Sequence, residues 1–394
     1  MIASPPMNWP SSSEFPPLDP DRKALRDQVL ELARGELGQN LRQHDREATF
    51  PRQDWDRCGA QGILGSHVPE QYGGRGHDAV TTVLLLEALG YGCRDNGLTL
   101  AVGGQTWSVQ EPIVIYGNED QKQKYLPRLC SGEWIGCHGV SEELSGSDAL
   151  SLRTTAVKVD GGYRLNGRKT YIGMAPLADL ALVLANTNPD AGKWGVSAFL
   201  VEAGSPGFAQ SAARPKTGTR TNPLGDLVFE DCFVPTENRL GGEGIGVSLF
   251  TQTIAWERAF IHAGHLGAMQ WLLERCLRYA KERQQFGQPI GKFQSVSNRI
   301  ADMRLRLETS RLLIYKVAAM KDAGKDASLE CAMANLHIAE SLLECATDAV
   351  RLHGARGHLE EYGVERQLRD SIGGVLYAGT SDIQRNLISS LLGL

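Results

Sequence analysis

Apolar positions along this chain change their period twice. Over residues 20–131 they recur at helical spacing. Leu25, Val29, Leu32 and Ala33 fall on one face, and residues 80–89 form a denser apolar stretch. Gly73-Gly74-Arg75-Gly76 separates such segments, and residues 119–127 read as a polar helix ended by Pro127. Near Trp134 the runs turn short and β-branched. Residues 154–159, 163–165, 181–185, 196–201 and 227–229 predict strands, with turns at Gly161-Gly162, Asn166-Gly167 and Asn188-Pro189. After Gly246 the helical period returns. Residues 257–285, 293–323, 328–352 and 367–391 predict four long helices rich in Ala and Leu, which as antiparallel neighbours make a bundle. The expected fold class is α+β. Residues 1–20 form a flexible tail, 21–131 an N-terminal helical domain, 132–240 a middle β-barrel domain and 241–394 a C-terminal four-helix bundle.

Composition narrows the function classes. A chain of 394 residues with 42% hydrophobic and 22% charged residues has the make-up of a soluble globular protein with a large core. Its net charge of −5 offers nothing to a nucleic acid or an anionic membrane. No apolar run approaches the ~20 residues that span a bilayer. The start is rich in Pro and Ser and has no apolar centre, so it reads as a tail rather than a signal peptide. The eight cysteines are scattered without a C-x-x-C pair. They read as reduced thiols, which predicts a cytoplasmic protein with no zinc site. His262 and His265 stand three apart, but no carboxylates or cysteines join them in a metal pattern, so no metal is expected.

The tail carries Leu376-Tyr377-Ala378-Gly379-Thr380-Ser381-Asp382-Ile383-Gln384-Arg385. This resembles the closing signature of the acyl-CoA dehydrogenase family of FAD enzymes. Gly139-Val140-Ser141-Glu142-Glu143-Leu144-Ser145-Gly146-Ser147-Asp148 resembles the family's T-E-P-x-A-G-S-D loop. Lys169-Thr170-Tyr171-Ile172-Gly173-Met174 is similar to K-x-W/F-I-T/S-N, and Arg283-Gln284-Gln285-Phe286-Gly287-Gln288-Pro289-Ile290 with Gln294 to R-x-x-F-G-x-x-I-x-x-x-Q. The matches occur in the family's order over nearly the whole chain. The resemblance implies FAD as cofactor. Val140 and Ser141 would contact the flavin ring, Gly146 and Ser147 the pyrophosphate, Tyr171 the ring face and Gly173 the N5 edge. Arg283, Phe286, Ile290 and Gln294 would grip the FAD of a neighbouring subunit, which implies at least a dimer and points to a homotetramer. Arg351 and Ala355 lie where the family has Q-x-x-G-G-x-G, and Thr380 and Gln384 match phosphate and adenine contacts. Glu143 replaces a proline, Gly173 a hydroxyl residue, Arg351 a glutamine and Ala355 a glycine.

The chemistry implied is removal of an α-proton from an acyl thioester and transfer of the β-hydride to flavin. The proton needs a carboxylate shielded from water, so that its pKa rises toward neutrality. Many family members carry that carboxylate as a glutamate where this chain has Ala378. In the isovaleryl-CoA and long-chain branches it lies instead before an arginine on a bundle helix, the position of Glu257 in Trp256-Glu257-Arg258. Glu257 is therefore the expected base, with Glu142 and Glu143 next. The backbone N–H of Ala378 is expected in the oxyanion hole, and Arg258 and Tyr377 at the substrate. The thioester is one of CoA or of an acyl or aminoacyl carrier protein in a biosynthetic branch. Electrons leave to an electron-transferring flavoprotein or to oxygen. A flavin-dependent monooxygenase or N-hydroxylase on the same fold, or a non-catalytic flavoprotein, is the alternative.

Overall fold

The computed structural model describes residues 18–394, so the tail expected over residues 1–20 lies almost wholly outside the described residues. The chain begins with α1 (Pro20–Gly35), α2 (Leu41–Glu47) and α3 (Arg52–Ala60). Asp19 caps α1 by accepting from the Arg22 N–H at 2.8 Å, with Pro20 in the first turn, where a missing N–H costs nothing. Every residue of α4 (Ala79–Cys93) is buried, so this helix is an axle rather than a surface element. Its Glu87 takes Arg311 Nε at 2.8 Å and the Tyr315 hydroxyl at 2.7 Å, which ties the N-terminal helices to the bundle.

α5 (Asn96–Gly104) runs into a π-helical turn, Gln105–Gln110, and then α6 (Glu111–Tyr116) and α7 (Glu119–Ser131). The expected stop at Pro127 is not one: α7 continues through it and ends where Gly132 turns left-handed. The Asn118–Gln121 capping box opens this helix.

The middle region forms one mixed eight-stranded sheet. Its strands are β1 (Gly136–Gly139), β2 (Thr155–Val159), β3 (Gly162–Gly173), β4 (Leu180–Asn186), β5 (Val196–Glu202), β6 (Phe208–Gln210), β7 (Leu224–Pro235) and β8 (Arg239–Leu240). The hydrogen-bonded path runs β6-β7-β3-β2-β4-β5-β8, with β1 added against β4. Most pairs are antiparallel, but β1 and β2 each meet β4 in parallel. Asn166-Gly167, expected as a turn, lies inside β3. The extra residue is absorbed as a register shift against β7 between Leu165 and Gly167, so the strand continues. A second shift between Lys169 and Ile172 puts Tyr171 at φ 60°.

The helices of the C-terminal region are α8 (Gly246–Phe260), α9 (Ala263–Glu282), α10 (Gln294–Asp322), α11 (Ser328–His353), α12 (Val364–Gly374) and α13 (Ser381–Leu391). Two expected continuous elements are broken. Glu257 was expected to open the first long helix; it stands in the last turn of α8, and the chain breaks at Ile261-His262 before α9. The helix expected over residues 367–391 is split between α12 and α13 by a turn in which Ala378 has φ 54° and Gly379 φ 91°. Between α9 and α10, a two-residue turn of Phe286 and Gly287 joins β9 (Gln284–Gln285) to β10 (Gln288–Pro289). α4 and α9 pack through glycines: a Cβ on Gly90 would stand 2.3 Å from the Gly264 carbonyl oxygen, and one on Gly267 2.2 Å from the Tyr91 nitrogen.

Candidate active site

Both helix breaks face the same place. Glu257 ends α8 with 13% of its side chain exposed, and its Oε2 is buried without a hydrogen-bond partner among the described residues. Burial pushes its carboxyl up to about 7, while the Ser108 hydroxyl and Arg258 pull it part of the way back. Ser108 comes from the π-helical turn, a type of irregularity often found at functional sites. His138 of β1 lies beside it, with Nδ1 3.9 Å from Glu257 Oε2. Burial, reinforced by Lys169, takes His138 down to about 4. A neutral imidazole cannot hold the carboxylate as an ion pair, so the high pKa stands.

The two stretches expected at the flavin are bound to each other and to this corner. Lys169 Nζ donates to the Val140 carbonyl at 3.1 Å, the Thr170 N–H to the Ser141 carbonyl at 2.9 Å and the Tyr171 hydroxyl to Glu143 at 3.2 Å. Glu142, a rival base, is occupied: it accepts from Lys169 Nζ at 2.8 Å, from the Arg153 and Thr154 N–H groups and from the Thr154 hydroxyl. Burial alone would raise its carboxyl, but Lys169 and these donors hold it below the usual range. Glu143, the other rival, is exposed. Glu111, one residue beyond the π-helical turn, is bound to Lys321 and lies 3.3 Å from His67. Glu257 therefore stands apart from these neighbouring carboxylates in its raised pKa and unpartnered oxygen.

In the tail turn, Gln384 is fully buried and donates to the carbonyls of Ala378 at 3.0 Å and Gly379 at 2.9 Å. Its amide nitrogen is thus committed to shaping the turn, and only its unpartnered Oε1 is left for a ligand. The Ala378 N–H donates to no group among the described residues. Thr380 caps α13 by accepting from the Ile383 N–H at 3.3 Å. The Tyr377 hydroxyl meets His265 Nε2 at 2.9 Å, and the Tyr377 ring stacks on His262 with centroids 5.4 Å apart. Arg258 is mostly buried, with an unpartnered Nε, while its backbone carbonyl accepts from Asn335.

These residues fit a flavin nucleotide. Gly146 and Ser147 are exposed, and a Cβ on Gly146 would meet nothing within 4 Å, so backbone can approach phosphate there. Thr170 Oγ1 is buried and unpartnered beside Tyr171, whose ring is half exposed. Gly173, also exposed, offers backbone alone.

The remaining candidates lie elsewhere. Arg283 follows the twenty residues of α9, which at 1.5 Å each is about 30 Å from the Glu257 end. Phe286 is 94% exposed at the hairpin tip, and Gln294 is exposed while Ile290 is partly buried. Arg351 and Ala355 are exposed at the end of α11, where His353 stacks on Tyr279 of α9 at 4.4 Å. The predicted cofactor residues thus form two groups at opposite ends of α9. Sequence reading missed Ser108 and His138, which stand in no motif; their signal is spatial.

Profiles of the acyl-CoA dehydrogenase N-terminal, middle and C-terminal domains match residues 19–133, 137–232 and 244–392. The chain belongs to the acyl-CoA dehydrogenase family. Within that family it is 42% identical, over 88% of its length and 91% of the relative's, to an L-prolyl-[peptidyl-carrier protein] dehydrogenase of Pseudomonas fluorescens. Among solved structures, the prolyl acyl carrier protein oxidase AnaB superposes with a TM-score of 0.95 at 42% identity, covering 96% of this chain and all of that one. PigA, solved with FAD and proline, superposes at 0.94 with 37% identity over 97% of this chain and 100% of its own. Among the described residues no helix is long and apolar enough to cross a membrane, and no cluster of ligating side chains could hold a metal ion.

Proposed function

We propose that this chain is an FAD-dependent dehydrogenase that oxidises an aminoacyl thioester, a prolyl group in the first instance, held on a peptidyl carrier protein. The observation that carries the chemistry is Glu257: a shielded carboxyl raised to about 7 with an unpartnered oxygen, among carboxylates that are otherwise paired or exposed. The carrier-protein substrate rests on the relatives, whose names or bound molecules include a prolyl carrier or proline. The monooxygenase alternative has no counterpart among these relatives.

Glu257 Oε2 takes the α-proton of the thioester. A base with a pKa near 7 is half ionised at neutral pH and still strong enough to compete for a carbon acid. Ser108 stands beside it, and neutral His138 adds no charge that would lower its basicity. The Ala378 N–H polarises the thioester carbonyl, where negative charge grows as the proton leaves, and Gln384 holds the turn that follows it through the Ala378 and Gly379 carbonyls. FAD, when bound, accepts the β-hydride as a two-electron acceptor. Val140, Ser141, Gly146, Ser147, Tyr171, Gly173 and Thr380 would hold it on the Glu257 side, with Gln384 Oε1 as a further acceptor. Arg283, Phe286, Ile290, Gln294, Arg351 and Ala355 would reach the cofactor of a second copy, since α9 separates them from their own site by about 30 Å. At least a dimer follows, and a tetramer is the expected assembly. Eight buried, unpaired thiols support a reducing, cytoplasmic setting.

The test is anaerobic. Purified protein is mixed with prolyl-carrier protein and, separately, with a panel of acyl-CoA thioesters while flavin absorbance is followed. Bleaching by the prolyl carrier alone supports the full reading. Bleaching by acyl-CoA alone removes the carrier substrate but keeps the dehydrogenase, and no bleaching by any thioester removes both. Oxygen uptake during turnover separates an oxidase from a chain that needs an electron-transferring flavoprotein.

A further inference from the structure

Next to the base lies a hydrogen-bonded chain for which the α-proton chemistry has no use. His262 Nδ1 meets His265 Nδ1 at 3.1 Å, and His265 Nε2 meets the Tyr377 hydroxyl at 2.9 Å. His262 is 0% exposed, yet its Nε2 has no partner among the described residues. Buried polar atoms are paired in the large majority of cases, and an orphan is destabilising. The ring is held in place by stacking on Tyr377, so the orphan cannot turn away cheaply.

Its position is specific. The Ile261 N–H bonds to the Glu257 carbonyl at 3.0 Å, and His262 follows at once. Tyr377 immediately precedes Ala378. The chain therefore runs from the end of the helix that carries the base to the turn that presents the oxyanion donor. The carbon between those two groups in a bound thioester is the α-carbon; with its proton at the base, its carbonyl at the N–H and its β-carbon toward the flavin, the fourth substituent in an aminoacyl thioester is nitrogen. Both imidazoles are neutral, because burial takes His265 down to about 4 and burial beside His265 takes His262 well below the usual imidazole range. The open end thus lacks the positive charge that a phosphate or carboxylate would require.

Neutral rings also restrict the protons. An Nδ1–Nδ1 hydrogen bond contains one proton, so two arrangements exist. In the first, His262 donates from Nδ1, His265 donates from Nε2 to the Tyr377 oxygen, and His262 Nε2 is a bare acceptor. In the second, Tyr377 donates, both protons shift across, and His262 Nε2 becomes a donor. The tyrosine hydroxyl satisfies either arrangement.

We propose that His262, backed by His265 and Tyr377, is the amine-recognition site for the substrate: its Nε2 accepts the N–H of the α-nitrogen of an aminoacyl thioester and so selects aminoacyl over simple acyl groups. This rests on the dehydrogenase reading above and deepens it. His262 is a specificity residue that touches substrate; His265 and Tyr377 act through it as positioning residues. Tyr377→Phe removes the hydrogen-bond partner of His265 Nε2, and with it the contact that holds His265, and through it His262, in place. That loosens the aim of the His262 acceptor at the substrate amine.

The experiment compares two thioesters on the same pantetheine arm, L-prolyl and its carbon isostere cyclopentanecarbonyl, by anaerobic flavin bleaching. The rate and the Kd are both taken from the concentration dependence. Wild type should favour the prolyl thioester. His262→Leu should lower that preference by about tenfold to a hundredfold, mainly through Kd, while the isostere is handled as before. Tyr377→Phe should lower it in the same direction, and it carries the comparison alone if His262→Leu does not fold. An equal loss with both thioesters overturns the proposal, since a merely structural histidine would act on both alike. Wild type that bleaches equally with both also overturns it while leaving the dehydrogenase intact. Bleaching with neither sinks the dehydrogenase reading itself.

Discussion

Glu257→Gln should do two opposite things at once. The substitution keeps the size and shape of the side chain and removes its ability to ionise. Without a base, flavin reduction by substrate should slow by about a hundredfold to ten-thousandfold. The same change should make the protein more stable. In the unfolded chain this carboxyl ionises near 4.5; in the folded protein burial delays that to about 7. Between these pH values the folded form retains a proton the unfolded chain has released. Stability therefore falls as pH rises through this window, at about 1.4 kcal/mol per pH unit, and the full cost of about 3 kcal/mol is present above pH 7. Glutamine does not incur that cost. Urea unfolding of the FAD-free protein, wild type beside variant, should give equal midpoints near pH 4.5 and a more stable variant at pH 8. In wild type the limiting rate of flavin bleaching should rise with pH and level off above about 7. A stability difference that does not change with pH would refute the burial of an ionising group at this site. A variant less stable at pH 8 would show that Glu257 is a structural partner and not a strained base.

Three further outcomes follow from the geometry. Glu142→Ala leaves Lys169, which is fully buried, without its carboxylate. It should cost about 3–5 kcal/mol in denaturant unfolding and loosen FAD retention, because the same carboxylate ties the loop at residues 139–148 to β3. Phe286→Ala removes a ring that is 94% exposed in the single chain. Monomer unfolding should be unchanged while subunit association and FAD retention weaken on gel filtration; unaltered assembly would contradict the shared cofactor site. Gly267→Ala would place a methyl 2.2 Å from the Tyr91 nitrogen, forcing α4 and α9 apart. It should destabilise by about 3 kcal/mol or more, measured as a lower thermal midpoint, whereas Gly146→Ala, with nothing nearby, should not.

The linear pattern determined much of this protein. Helical spacing, then β-branched runs, then long alanine- and leucine-rich stretches are local signals, and each reports which face a segment buries. The substitution of Ala378 for a family glutamate, and the pairing of Glu257 with Arg258, are also local, so a candidate for a relocated base was legible. What the sequence left open are contacts between residues far apart along the chain. Helical residues continue through Ile261-His262, and nothing in their composition announces that break; the second break does carry local signals, Gly379 and the N-cap residue Thr380, which the helical pattern on both sides outweighed. The tertiary structure interrupts both helices and brings the two breaks together, where Tyr377 stacks on His262 and bonds to His265. Asn166-Gly167 has turn chemistry, but pairing with β7 drew it into a strand as a bulge. The raised pKa of Glu257 comes from burial against the opposing pull of Ser108 and Arg258, and the lowered pKa of His138 from burial together with Lys169. Burial is a property of the packed molecule, which is why the candidate base could be read from the chain and its raised pKa only from the fold.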